Sequence, residues 1–194
     1  LLWYLNYSTM NLNLTRPLLF FDIESTGLNI PNDSIIELSF VKVFPDGHDE
    51  IKTWRVCPWD YKAKKQKSMD PGASAVNGIK DEDVAGEKKF IEIAPEVVDW
   101  LKDSDLAGYN STKFDLPMLA EEIERARAYC NERIADVKTP ADKKDKAQKV
   151  LDSLDIDLHS SRFPTLRKQY PDRPEGPAQN PLRQYAKPVS SDLP

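Results

Sequence analysis

Apolar residues in the first sixty positions come in short runs, not in helical stripes. Leu18 to Ile23 is nearly continuous in apolar character, the pattern of a strand covered on both faces. Ser25-Thr26-Gly27 then turns the chain. Ile35 to Phe44 alternates in part and is rich in β-branched residues, which predicts a second strand. Pro45-Asp46-Gly47 reads as a tight turn, since proline presets φ and glycine accepts a positive one. Glu50 to Val56 returns as a third strand, completing a meander.

Further along, the period changes. Asp81 to Val84 reads as a short helical turn, and Ile93, Val97, Val98 and Leu101 fall at helical spacing within Ile91 to Lys102. Leu106 to Tyr109 is a short buried strand. Leu116 to Val137 carries the strongest helical pattern, with Leu116, Leu119, Ile123 and Ala126 on one face. Pro117 sits in the first turn, where proline is tolerated. Glu121, Glu122, Glu124, Arg125 and Arg127 are expected on the opposite, solvent side. Asp60 to Ser68, with Lys62, Lys64, Lys65 and Lys67, is expected to be a solvated loop, a phosphate-contacting loop being the alternative. Lys138 to Lys149 is charge-rich and expected to be solvated, as a helix extension or a loop. From Pro164 onward prolines recur with almost no aliphatic partners, so this stretch cannot bury enough apolar area to offset its ordering entropy. The predicted organisation is an N-terminal extension over 1–15, one domain over 16–163, and a disordered proline-rich tail over 164–194.

Composition changes this picture little. The 194 residues suffice for one domain plus a tail, and 40% apolar content is low for a globular chain. A net charge of −5 gives no global attraction for nucleic acid but permits a local basic surface. Cys57 and Cys130 match no zinc or redox spacing and suit a reducing cytosol, so a cytoplasmic location is expected. No stretch approaches the length of a membrane span, and the apolar start lacks the basic flank of a signal peptide. Met10 is expected to be the natural start, with residues 1–9 translated upstream sequence.

The candidate chemistry lies in Phe20-Phe21-Asp22-Ile23-Glu24-Ser25-Thr26-Gly27. Side chains two apart on a strand share a face, so Asp22 and Glu24 project together from the end of a buried strand. Two adjacent carboxylates repel, and a hard divalent cation such as magnesium or manganese is the usual compensation. Solvation at a strand end is the plainer alternative. A second acid, Asp115, comes after Ala107-Gly108-Tyr109-Asn110-Ser111-Thr112-Lys113-Phe114 near a helix N-terminus, where a carboxylate also serves as a cap.

An Asp-x-Glu-Ser-Thr-Gly on the first strand, then an Asn-x-x-x-Phe-Asp about ninety residues later, resembles the DEDD exonuclease superfamily. The pattern is most similar to the proofreading (epsilon) subunits of bacterial DNA polymerase III and their stand-alone relatives. The segment Ala75-Val76-Asn77-Gly78-Ile79-Lys80-Asp81-Glu82-Asp83-Val84 resembles the stretch after that family's third strand. The resemblance covers Arg16 to Arg127 and implies an α/β, ribonuclease H-like mixed sheet flanked by helices, incomplete at its C-terminus. It also implies a 3′–5′ exonuclease that hydrolyses phosphodiester bonds with two divalent cations, Mg²⁺ or Mn²⁺. Asp22 would bridge both ions, Glu24 would hold the ion that activates water, and Asp115 would hold the second. Ser25, Thr26, Gly27 and Leu28 would meet the terminal nucleotide, while Asn110 and Phe114 would shape its pocket. The implied partners are single-stranded DNA or RNA 3′ ends and a DNA polymerase, with no membrane.

The pattern then departs from the family, whose third motif is a His with an Asp five residues after it. His48 lies in the predicted hairpin turn, ahead of Asp115. No acid comes after His159 until Asp172, and Asp155/Asp157/His159 reads as a solvated edge in preference to a metal site. The expectation is a reading frame truncated or shifted near Phe163. A catalytically silent nucleic-acid-binding or polymerase-associated module is therefore the alternative function.

Overall fold

The computed structural model describes residues 13–156. The apolar run forms strand β1 (Leu18–Ser25), and β2 (Ile35–Val43) and β3 (Asp49–Arg55) come next. A small hairpin follows, β4 (Trp59–Asp60) and β5 (Lys65–Gln66), then helices α1 (Pro71–Asn77), α2 (Asp81–Val84) and α3 (Phe90–Leu101). Strand β6 (Asp105–Ala107) and helices α4 (Asp115–Ala135) and α5 (Ala141–Ser153) complete the order.

The main sheet runs β3-β2-β1-β6 and is mixed: β1, β2 and β3 are successively antiparallel, and β6 joins β1 in parallel. Period-two alternation divides its faces. Leu19, Phe21, Ile23, Leu38, Phe40 and Trp54 point into a core closed by α3 and α4, which contribute Ile93, Val97, Val98, Leu119, Ile123 and others. The register slips between Glu24 and Ser25, which pair with Glu37 and Ile35. That bulge leaves Ile36 without an opposite residue and turns it into a second cluster with Ile79 and Val84. The sheet's core is thereby sealed on one side and the α1–α2 segment on the other.

The predicted β1, β2, β3, β6, α2, α3 and α4 all form, within a few residues of their expected ends. Three expectations need correction. Asp60 to Ser68 is not a plain loop: it contains the β4–β5 pairing, and the Lys67 ammonium donates to the Asn32 carbonyl oxygen at 2.8 Å. Glu122 does not face solvent; it is buried, and Arg125 is mostly covered with it. Arg127 leaves the solvent face too, donating to the carbonyl oxygens of Leu154 and Ile156. These contacts tie α4 to the chain beyond α5, where Leu154 enters the core. Helix α1 is not predicted by any apolar period, although Asp70 caps it by accepting from the Gly72 N–H at 2.7 Å. Cys57 and Cys130 are free and buried. Asp155 is exposed, while Asp157, His159, Trp3, Tyr4, Met10 and the proline-rich stretch lie outside the described residues.

Candidate active site

Asp22 and Glu24 lie on the face of β1 opposite the core, as the strand period requires. Glu24 pairs directly with Glu37 on β2, so a third carboxylate stands across from it. Glu37 is in turn paired with Arg55 of β3, the guanidinium lying 2.7 Å from its carboxylate. This row, Glu24-Glu37-Arg55, crosses three strands. Sequence reasoning missed Glu37; its signal was a lone acid inside the apolar β2 pattern.

Asp115 reaches the same place by a different route. Strand β6 ends beside Phe20, and the turn after it passes close over β1. Gly108 makes that passage possible: a Cβ there would stand 3.0 Å from the Phe21 carbonyl oxygen and 2.8 Å from Ser111 Cβ. Asn110 takes a left-handed φ of 53°, and the Leu116 N–H donates to the Ser111 carbonyl oxygen at 2.8 Å. Helix α4 then begins at Asp115, whose side chain is buried. Phe114 packs partly into the core, and Asn110 is exposed.

The electrostatics show how close these acids are. Loss of hydration raises the Glu24 carboxyl to about 7, with Asp22, Glu37 and Asp115 adding repulsion and Arg55 opposing it. Loss of hydration and then the charge of Asp22 raise Asp115 to about 6. Asp22 is also raised, first by curtailed hydration and then by Glu37, although its side chain keeps contact with solvent. The Ile23 backbone N–H favours the charged forms of both Asp22 and Asp115, which places both acids beside the middle of the acidic motif. Carboxylate oxygens are suitable donors for a hard cation, and a cation would offset the repulsion that raises all three. Among the described residues, no three His, Cys, Asp or Glu side chains already close into a ligand cage. The acids share a field without converging on one point.

The loop after the acidic strand is tightly built. Thr26 Oγ1 donates to Asp33 Oδ1 at 2.8 Å, the Thr26 N–H donates to the Ser34 carbonyl oxygen at 2.9 Å, and the Asn29 N–H donates to Asp33 Oδ2 at 2.8 Å. Ser25 Oγ donates to the Gly27 carbonyl oxygen at 2.7 Å. Leu28 stands at the rim, 85% exposed. Two further bonds fasten α1 to this loop, from the Asp70 N–H to the Thr26 carbonyl oxygen and from Asn77 Nδ2 to the Ser25 carbonyl oxygen. His48 lies in the β2–β3 turn, where it stacks on Phe44 and pairs with Asp46.

A mixed sheet in this order, with helices against it and acids at the end of β1 and at the start of α4, is a ribonuclease H-like arrangement. The chain belongs to the RNase_T exonuclease family, whose profile matches residues 19–172. It is 34% identical over 107 residues to Protein NEN2 of Arabidopsis thaliana, a match covering 53% of this chain and 21% of that protein. It is 34% identical over 105 residues to the PolC-type DNA polymerase III of Latilactobacillus sakei, covering 54% of this chain and 7% of that one. The chain thus spans about a fifth or less of the curated relatives it matches. Escherichia coli Exonuclease I in complex with a dT13 oligonucleotide shares the fold, at a TM-score of 0.50 and 18% identity over 56% of this chain and 24% of that one.

Proposed function

We propose that this domain is a metal-dependent 3′–5′ exonuclease acting on the 3′ ends of single-stranded nucleic acid. The observation that carries the reading is the grouping of Asp22, Glu24 and Asp115, three acids from two elements. Their carboxyls are raised first by burial, with Asp22 adding repulsion at both Glu24 and Asp115 and Asp115 adding it at Glu24. Membership of the exonuclease family and the likeness to PolC-type polymerases support it.

Asp22, Glu24 and Asp115 would hold the divalent cations, Mg²⁺ or Mn²⁺. Such a pair of ions, when bound, activates water and stabilises the attacking and leaving oxygens of a phosphodiester. The chain's own residues supply the frame. The Ile23 N–H steadies Asp22 and Asp115 in their charged forms, and Arg55 draws off part of the charge of Glu37, which stands opposite Glu24. Of Ser25, Thr26, Gly27 and Leu28, the exposed Leu28 would meet the terminal nucleotide, the other three would set its position from within the loop, and Asn110 and Phe114 would shape the pocket. A role beside a DNA polymerase in the cytoplasm accords with the polymerase relatives, and no helix among the described residues is long and apolar enough to cross a membrane.

The test is release of nucleotides from a 3′-labelled single-stranded oligonucleotide in Mg²⁺ or Mn²⁺, beside Asp22→Ala. Release by the parent and none by the variant supports the reading. Absence of release from both, with metal-dependent oligonucleotide binding retained, would mark a silent binding module instead.

A further inference from the structure

A cluster of buried charge lies behind the Thr26–Ser34 loop, on the side away from the acids. Arg125 Nη1 donates to the Asp33 carbonyl oxygen at 2.6 Å, and Nη2 donates to that of Ile30 at 2.6 Å. Lys67 Nζ donates to the Asn32 carbonyl oxygen at 2.8 Å and to Ser34 Oγ at 2.9 Å. Glu122 Oε1 accepts from Arg125 at 3.2 Å and from the Ile35 N–H at 3.2 Å. Two cations therefore hold three carbonyls of one short loop, and a buried carboxylate ties the larger cation to the strand beyond it.

An apolar core does not need this arrangement. Burying a carboxylate and a guanidinium is expensive, and apolar residues of similar size often serve stability as well or better. Two apolar clusters already close the fold. The loop itself has one partly buried apolar anchor, Ile30, which packs against the core, while Leu28, Asn29, Pro31 and Asn32 are all exposed. Carbonyl oxygens are what such a loop offers to grip, and a planar guanidinium can hold two of them at fixed angles.

We infer that Glu122, Arg125 and Lys67 are positioning residues for substrate: they fix the Thr26–Ser34 loop from behind so that the exposed Leu28 is presented in a set place to the terminal nucleotide. The inference rests on the proposed exonuclease function. It assigns these three a part in nucleotide binding rather than in the hydrolytic step, because none of them faces the acids. A loosened rim would weaken contacts made alike in the ground and transition states, which raises KM and leaves kcat.

The experiment uses Arg125→Lys and Lys67→Met in the full chain. Arg125→Lys leaves a cation beside Glu122 but loses the two-carbonyl grip. Lys67→Met loses the Asn32 and Ser34 bonds and a charge that acts on Glu122, but keeps the Arg125 grip, so it serves even if the first variant folds poorly. Steady-state cleavage of a 3′-labelled oligo(dT) is measured with Mg²⁺, and anisotropy of the same oligonucleotide with Ca²⁺ in place of Mg²⁺. Hydrogen exchange is followed at the amides of residues 27–34. The expected result is a KM and Kd about tenfold higher, kcat within about threefold, and faster exchange confined to the loop. Unchanged KM and Kd in both variants would overturn the inference alone. So would an apparent kcat that falls with the melting temperature while KM and Kd stay at the parent's values, which is the mark of a merely structural role. A parent that neither cleaves nor binds the oligonucleotide overturns the proposed function, and the inference with it.

Discussion

The two sides of the Thr26–Ser34 loop treat charge in opposite ways. On the front, Asp22, Glu24 and Asp115 lose hydration and stand near one another and near Glu37, Arg55 opposes the shift at Glu24, and the carboxyl groups of Asp22, Glu24 and Asp115 rise. Behind, Glu122 is more deeply buried than any of them and burial raises its carboxyl too, but there Arg125, Ser34, Lys67 and the Ile35 N–H all oppose the shift. Burial alone therefore does not mark a functional acid in this molecule. The company of the acid does: on the front other carboxylates add to the push of burial, and at the rear cations and hydrogen-bond donors work against it.

The sharpest break of that contrast is chemical. Asp22→Asn keeps the shape of the front and removes one charge, and kcat/KM should fall about 10³-fold or more, the equivalent of several kcal/mol of transition-state stabilisation. Denaturation of the metal-free variant should show equal or higher stability, since a repulsion has gone. The mirror experiment is Arg125→Ala at the rear, which leaves Glu122 without its closest cation. It should cost about 3–5 kcal/mol in chemical denaturation, and a loss under about 1 kcal/mol would mean that Lys67 or water takes over the pairing.

Acidity separates the two sides more gently. Glu24 and Asp115 have folded pKa values above their ordinary ones, at about 7 and about 6. Protonated acids on the front are thus favoured by folding. The metal-free protein should keep this contribution in full only near about pH 4 and, with solvent screening discounted, should lose of the order of 2 kcal/mol of it as pH rises from there through about 6 and 7. Saturating Mn²⁺ should remove that decline, because the cation offsets the repulsion and its binding releases protons. Melting curves at about pH 5 and pH 8, with chelator and with Mn²⁺, decide the matter; parallel curves in both media would mean that the acids do not share a field. The smallest effect belongs to α1. Asp70→Ala removes its cap and should cost about 1 kcal/mol in chemical denaturation, with the backbone bond from residue 70 to Thr26 retained.

Much of this was legible before the structure. The β-meander arises from apolar runs and one proline-glycine turn, and Asp22 and Glu24 share a face because strands alternate. The rear cluster was misread for a definite reason. Helix α4 has a second covered side, made by the loop after β1 and by the β4–β5 hairpin, and a one-stripe helical pattern assigns that side to water. A closer reading had a signal available: Glu122 lies beside Ile123, between Leu119 and Ala126, inside the apolar stripe, with an arginine three residues on. Helix α1 was spelled out by Asp70-Pro71 at one end and Gly78 at the other, but its Gly, Ala and Ser content gives no apolar period to notice. Glu37 becomes significant only through the register that sets it against Glu24, and pairing across strands is not visible along one of them.

Gly27 and Asp33 form a coupled pair. A methyl group at position 27 would lie 2.5 Å from Asp33 Oδ2, and that carboxylate cannot swing aside without giving up Thr26 and Asn29. A side chain at 27 is thus compatible only with a shorter one at 33, and a shorter one at 33 releases the threonine. The two positions should behave as a single heritable unit: across descendants of this chain they would change together or not at all, and an engineer who wishes to enlarge the rim must rewrite both ends of the loop at once.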